Sequence, residues 1–336
     1  MKTYYSLFVR STAALLLGLS LNATAGKTAT TTTTTTTTVT GVIDPVSGYQ
    51  TLSGTLKRTW TALNGTYVQT TSGTTAVAAT LNVGGVSRRY IIVRPNPAPA
   101  KAPVLLLLHA SGVTPENMAN LTEVSDYVQT QGFWAVVPAA IGLNWKDDPS
   151  TSNDDDVRFI SALIDTLVAQ GVDATRIYAG GYSSGGFMAQ RLACQLSDKI
   201  AAIGVASATL RNGLANACAP LKPRAKAFFN GTADTIVPYD GYYDMKSALA
   251  TMSYWNSKQG CGGTLAESIP NRVSDGTTVQ LTRYTGCSGG TAENRLYTIN
   301  NGGHAWPGGL TGSLYVTTQD IKATGLIWNF TSAYRR

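Results

Sequence analysis

Residues 104–108 read Val-Leu-Leu-Leu-Leu, an unbroken apolar run between Pro103 and a loop. A run this short, with no polar alternation, suits a strand covered on both faces, as in a parallel sheet. The same rhythm recurs along the chain. Trp134–Val137 is a second short buried strand, stopped by Pro138. Arg176–Ala179, Ile200–Ala206, Ala225–Asn230 and Tyr297–Ile299 follow as strands. Between them lie helical periodicities at 117–131, ended by Gly132, and at 155–170, where Val157, Ile160, Leu163, Ile164 and Leu167 form one stripe. Another helix is predicted over 185–196, and a closing helix over 320–334. Ala76–Val83 and Arg89–Val93 read as two strands joined at Gly84-Gly85. Strands alternating with helices predict an α/β fold with a mainly parallel sheet covered on both faces. The 336 residues suffice for one large domain, and no internal repeat is visible.

The N-terminal quarter is of another kind. Lys2 and Arg10 precede an apolar run at 11–21 that is too short to span a bilayer, and Ala23-Thr24-Ala25 offers a cleavage site. Residues 1–25 therefore read as a secretory signal peptide. No other segment is apolar enough for a membrane span, so the mature protein is expected to be secreted and free of the membrane. Nine consecutive threonines at 30–38 make 26–40 a Thr-rich linker. Residues 41–75 alternate weakly and are expected to form an irregular extension before a catalytic domain at 76–336. Charge is uneven: 26–101 holds seven basic residues and one acid, Asp44, whereas 102–336 holds seventeen basic and eighteen acidic. The basic pairs Lys57-Arg58 and Arg88-Arg89 sit in strand-like sequence, without the recognition element a nucleic-acid binder would carry.

Gly181-Tyr182-Ser183-Ser184-Gly185 matches G-x-S-x-G, a pattern that presents serine on a sharp strand-to-helix turn. A second match, Gly286 to Gly290 around Ser288, lies in a Gly-rich loop with neither strand nor helix beside it. Ser183 follows a predicted strand and precedes a predicted helix, so it is the candidate nucleophile. A serine hydroxyl needs a base. His304 lies in a loop after the last strand, in the chain order Ser, acid, His that this turn favours; His109 ends the 104–108 strand and suits a structural role. Between serine and histidine, Asp234 follows the strand 225–230 and is the candidate acid, with Asp240 the runner-up. Asp244 and Asp275 look like surface residues. The amides of Ser184 and Ser111 are the candidate oxyanion donors, with Ala110 an alternative to Ser111. This chemistry calls for no metal and no organic cofactor. Trp306, Trp145 and Tyr182, with Tyr239, lie near these motifs as candidates to line a substrate cleft.

These blocks together resemble the polyhydroxybutyrate depolymerase family of secreted esterases, which also contains feruloyl and acetylxylan esterases. The resemblance is carried by Arg88-Arg89-Tyr90, Leu105–Gly112, Asn144-Trp145, Asp155-Asp156-Val157, Asp173–Tyr178 running into Gly181–Gly186, Asn230–Asp234 with Ile236-Val237-Pro238, and Gly302–Gly309. It begins near Ala76. One departure is Ala110, where the family usually has Gly. The resemblance implies an α/β-hydrolase fold, a Ser183–Asp234–His304 triad and a polymeric or bulky ester substrate. A polyhydroxyalkanoate leads, followed by feruloyl or acetyl esters on plant polysaccharide, then a polyamide such as poly(aspartic acid). A non-catalytic binding module on the same scaffold is the alternative from another class.

Four cysteines in an exported chain predict two disulfides. Cys194 lies on the helix after Ser183, and Cys218 follows the next strand. Consecutive elements are usually neighbours, so Cys194–Cys218 is expected, which leaves Cys261–Cys287 to close a turn-rich stretch.

Overall fold

The computed structural model describes residues 39–63, 65–288, 293–310 and 315–336. The expected leader and residues 26–38 of the expected linker lie outside the described residues. Val39 and Thr40, assigned to the linker from the sequence, belong to the fold instead. Val39 is buried, and the Thr40 amide donates to Ser53 Oγ at 3.1 Å.

Residues 41–71 are also more regular than expected. β1 (Gly41–Ile43) pairs with β2 (Gln50–Leu52), and β3 (Arg58–Leu63) pairs with β4 (Thr66–Thr71), both antiparallel. β4 packs on α1 (Pro115–Leu121) and α2 (Val124–Gln131). Val68 is fully buried there, the Gln69 amide donates to Asn120 Oδ1 at 2.7 Å, and Thr71 Oγ1 donates to Asp126 Oδ1 at 2.6 Å. Polar pairing fixes this segment, which a search for apolar periodicity does not detect.

Among the described residues, one ten-stranded sheet forms the centre. It contains β5 (Thr74–Val83), β6 (Val86–Pro95), β7 (Val104–Leu108), β8 (Trp134–Pro138), β9 (Ile177–Tyr182), β10 (Ala202–Ala206), β11 (Ala225–Gly231), β12 (Gly263–Ser268), β13 (Thr278–Thr285) and β14 (Asn294–Asn300). Their order is β12-β13-β14-β11-β10-β9-β7-β8-β6-β5. The six strands from β14 to β8 are parallel, and antiparallel pairs close both ends. α3 (Asp155–Ala169), α4 (Ser184–Gln195), α5 (Asn212–Ala217) and α6 (Ala248–Gln259) pack on one face. α1, α2 and α7 (Ala323–Thr331) pack on the other. Along β7, Val104, Leu106 and Leu108 join the first core, while Leu105 and Leu107 join the second. Both faces of this strand are therefore dry, which is why its sequence lacks alternation.

Two helix predictions change. The helix expected over 117–131 is two helices, broken at Glu123, whose φ is +49°. The Glu123 carboxylate pairs with Lys322 at 2.8 Å and Arg58 at 3.1 Å, contacts no local pattern encodes. The closing helix is shorter than 320–334 because Asp320 is turned aside to accept the amides of Arg272 and Val273 at 2.6 and 3.0 Å. Both expected disulfides are present, Cys194–Cys218 and Cys261–Cys287. The first joins α4 to the end of α5, and the second joins the residues following α6 to those following β13.

Lys226 on β11 is 2% exposed. Its Nζ donates to the Arg224 carbonyl at 2.6 Å and to Gln259 Oε1 at 3.0 Å, and lies 4.2 Å from the centre of the Trp255 ring. These contacts favour the ammonium, but burial outweighs them and pulls the group from 10.5 down to about 7. An unfolded lysine keeps its ordinary value, so between those limits the unfolded chain binds more protons and stability rises with pH. Unfolding free energies from urea titrations at pH 7 and pH 9 are expected to differ by roughly 2 kcal/mol from this group. Lys226→Met is expected to remove that rise; an equal rise in the variant would show that Lys226 is charged in the fold.

Candidate active site

Ser183 sits between β9 and α4 with φ 54° and ψ −119°, a strained conformation for a residue with a side chain. Two glycines make the turn fit. A Cβ on Gly181 would fall 2.1 Å from the Gly185 carbonyl oxygen, and one on Gly185 would fall 2.1 Å from that of Leu108. The turn thus presses against the end of β7, and the Ser183 amide donates to the Ala206 carbonyl at 2.9 Å. The second G-x-S-x-G serine is a turn residue, as expected: Ser288 is exposed and its amide donates to the Gln259 carbonyl at 2.7 Å.

β9, β11 and β14 are parallel, so the residues that follow them emerge on one edge of the sheet. Ser183, Asp234 and His304 meet there. Ser183 Oγ lies 2.9 Å from His304 Nε2, and His304 Nδ1 lies 2.8 Å from Asp234 Oδ2. The tautomer that satisfies both contacts carries its proton on Nδ1, which donates to the carboxylate, while Nε2 accepts from the hydroxyl. Asp234 Oδ1 accepts the amides of Ile236 and Val237, both at 2.8 Å. Both oxygens of this buried carboxylate are thereby engaged, and its orientation is fixed. The histidine loop is tied to the aspartate loop by the Ala233 amide, which donates to the Gly302 carbonyl at 2.9 Å. Asp240, the alternative acid, is exposed and outside this chain of bonds. Asp244 is half-buried and paired with Arg211 at 2.6 Å, so it is not the free surface residue expected.

The Ser184 amide is the first of α4, where backbone donors have no partner within the helix. Ser111 is exposed on the turn after β7, and its hydroxyl bonds Asn144 Oδ1. That turn is braced from below. His109 is fully buried, its Nδ1–H donates to the Ala110 carbonyl at 2.8 Å, and its Nε2 accepts the Ala140 amide at 3.0 Å. Burial holds its pKa below the usual imidazole value, consistent with one neutral tautomer. The Gly112 amide donates to the Leu143 carbonyl at 3.0 Å.

The aromatic residues expected at the cleft do other work. Trp145 is buried, and its Nε1–H donates to the His109 carbonyl at 2.9 Å. Trp306 is 3% exposed, with its Nε1–H on Thr324 Oγ1 at 3.1 Å, so α7 covers it. Tyr182 is half-buried; its hydroxyl donates to the His304 carbonyl at 2.8 Å, and burial pushes its pKa well up. Tyr239 likewise turns its hydroxyl to Thr298 Oγ1 at 3.0 Å. Each of these residues supports a loop of the site, and proximity in sequence does not distinguish support from lining. The ring found edge-on to His304 is Tyr315, 5.9 Å away, which no motif marks.

Comparison with known proteins agrees with this architecture. Feruloyl esterase B of Piromyces equi is 31% identical over 177 residues, which cover 49% of this chain and 32% of that protein. Feruloyl esterase D of Neurospora crassa is 25% identical over 240 residues, 67% of this chain and 76% of that one. The matched region thus spans about a third of the first relative and three-quarters of the second. Among solved structures, the acetyl xylan esterase from Aspergillus awamori superposes with a TM-score of 0.53 at 13% identity, covering 68% of this chain and 94% of that chain, which shows a shared fold. A family model described as phospholipase/carboxylesterase matches residues 91–272, a stretch that takes in Ser111, Ser183 and Asp234 and ends before His304. By that match, and by a largely parallel sheet with helices on both faces, the chain belongs to the phospholipase/carboxylesterase family of α/β-hydrolases.

Proposed function

We propose that the protein is an exported serine hydrolase that cleaves carboxylic esters through an acyl-enzyme. The observation that carries the reading is the unbroken hydrogen-bond chain from Ser183 Oγ through His304 to Asp234. In this mechanism His304 Nε2 takes the hydroxyl proton as Ser183 Oγ bonds to the acyl carbon. The carbonyl oxygen becomes an oxyanion, which the amides of Ser184 and Ser111 receive. His304 then gives its proton to the leaving alkoxide as the C–O bond breaks. A water molecule, deprotonated by the same nitrogen, attacks the acyl-enzyme and releases the acid and the free serine. Asp234 stays ionised throughout, keeps Nδ1 protonated and stabilises the transient imidazolium. The two disulfides support export.

For substrate, the names of the relatives favour feruloyl or acetyl esters carried on polysaccharide, ahead of the polyester first expected from the family resemblance. The test is a panel of an aryl acetate, methyl ferulate, acetylated xylan, polyhydroxybutyrate film and poly(aspartate). Turnover of the aryl acetate together with methyl ferulate or acetylated xylan is expected. Release of soluble products from the film alone would restore the polyester reading, and release from poly(aspartate) alone would move the activity to amides. No turnover of any member would reduce the protein to a binding module.

A further inference from the structure

The loop that carries Asp234 continues into a small hairpin that the relay does not use. The Tyr242 amide donates to the Met245 carbonyl at 3.0 Å, and the Met245 amide donates back to the Tyr242 carbonyl at 2.8 Å. This reversal holds Tyr243 at φ +51°, in the left-handed region that a bulky side chain rarely adopts. Tyr242 and Tyr243 are 69% and 87% exposed. Two adjacent aromatic residues are thus held in water, one of them on a strained backbone, where their burial adds almost nothing to the fold.

The hairpin is firmly anchored. Asp244 accepts from Arg211 Nη1 at 2.6 Å, the Asn212 amide donates to the Asp244 carbonyl at 2.7 Å, and the Lys246 amide donates to the Leu210 carbonyl at 2.9 Å. The Arg211 guanidinium also bonds Asp147 at 3.1 Å and lies 4.4 Å from the centre of the Phe187 ring. Phe187 is one turn beyond Ser183 on α4, and its amide donates to the Ser183 carbonyl at 3.0 Å. The tyrosine tip is therefore continuous, through Asp244, Arg211 and Phe187, with the turn that presents the candidate nucleophile. It lies in the loop leaving β11, on the same edge of the sheet.

We propose that Tyr242 and Tyr243 form a stacking subsite for the sugar rings of a polysaccharide, beside the site that takes its ester group. The substrate role rests on the ester-hydrolase reading above. Tyrosine rings supply a flat apolar face with a polar tip at little entropic cost, and a fixed hairpin has already met the ordering cost of binding. Asp240 and Lys246 stand at the two feet of the hairpin with opposite charges, so the tip offers no net attraction to a polyanion. Asp240 is exposed and accepts hydrogen bonds. Sugar hydroxyls can donate to it, whereas a polyester has only acceptors and would desolvate the carboxylate without a partner.

Electrophoresis of the full chain through gels containing de-esterified arabinoxylan tests binding without any reaction. The native protein is expected to be retarded. The Tyr242→Ala, Tyr243→Asn double variant is expected to bind the arabinoxylan roughly five- to twenty-fold more weakly. Asparagine tolerates the left-handed backbone, so the melting temperature should hold; if it falls, Tyr242→Ala alone, at a residue of ordinary backbone, carries the same test. On feruloylated arabinoxylan oligosaccharides the double variant should raise KM by the same factor with kcat unchanged, while kcat/KM for methyl ferulate stays within about two-fold. No retardation of the native protein, or equal retardation of the variant, overturns the subsite. Retention on polyhydroxybutyrate film that depends on the tyrosines, without retardation by arabinoxylan, overturns the sugar assignment. Retardation that depends on the tyrosines in a protein that turns over no ester would leave the subsite standing and remove the hydrolase reading.

Discussion

Replacing Ser183 by alanine is expected to lower kcat for every ester tested by on the order of 10⁴-fold or more, with the melting temperature held within a few degrees. His304→Ala should do nearly the same, because base and nucleophile act as a unit; the double variant should lose little more than either single one. Asp234→Asn should also be severe, since the amide leaves the imidazole free to take the wrong tautomer. Loss in kcat, with KM little changed, is the expected signature, because Ser183 makes its decisive contact only as the acyl carbon is attacked. An aryl phosphonate should label Ser183 alone. Modification of Ser288, or an active Ser183→Ala protein, would end the assignment.

Loss of the Cys261–Cys287 bridge has the second largest expected effect. The bond closes a 26-residue loop that contains the whole of β12 and β13. In the chain-entropy model such a loop is worth about 3.5 kcal/mol, which corresponds to roughly 6 °C in Tm for a domain this size. β12 is exposed along nearly its whole length, so little apolar burial is available to compensate. β13 pairs with β14, the strand that leads to His304. A Cys261→Ser, Cys287→Ser variant is therefore expected to lose activity at a lower temperature than it loses its helical circular-dichroism signal. Coincident loss of both would show that the edge hairpin and the histidine loop melt with the body of the domain.

Much of the site was legible because its determinants are local. A serine between glycines at the end of an apolar strand has few conformations available, and with two histidines in the chain the candidate base was nearly settled by order alone. The parallel centre was legible for a related reason: strands buried on both faces have no alternation to lose. What escaped depended on contacts between distant segments. Trp306 reads as a cleft residue until α7 is seen to cover it and Thr324 to take its N–H. The break at Glu123 follows from cations at 58 and 322. β12 was missed because five of its six residues are exposed and carry no apolar pattern. Arg211 had no motif, and its importance appears only when the loops after β8 and β11 and the helix α4 converge on it.

The placement of the proposed relay along the chain sets when activity can first appear during synthesis. Ser183, Asp234 and His304 come from the ends of β9, β11 and β14, and β10 must lie between β9 and β11 before serine and histidine can meet. β11 and β14 are neighbours, so Asp234 and His304 can align on their own, but Ser183 reaches them only through β9 and β10. On the proposed assignment, a growing chain emerging from the ribosome lacks its base until residue 304 of 336 has been made, and the three groups meet only after four strands have aligned. Pairings this distant in sequence form late. Hydrolytic capacity should therefore appear in a single step at the end of folding, with no partly active intermediate, and its recovery after dilution from denaturant should report completion of the whole sheet.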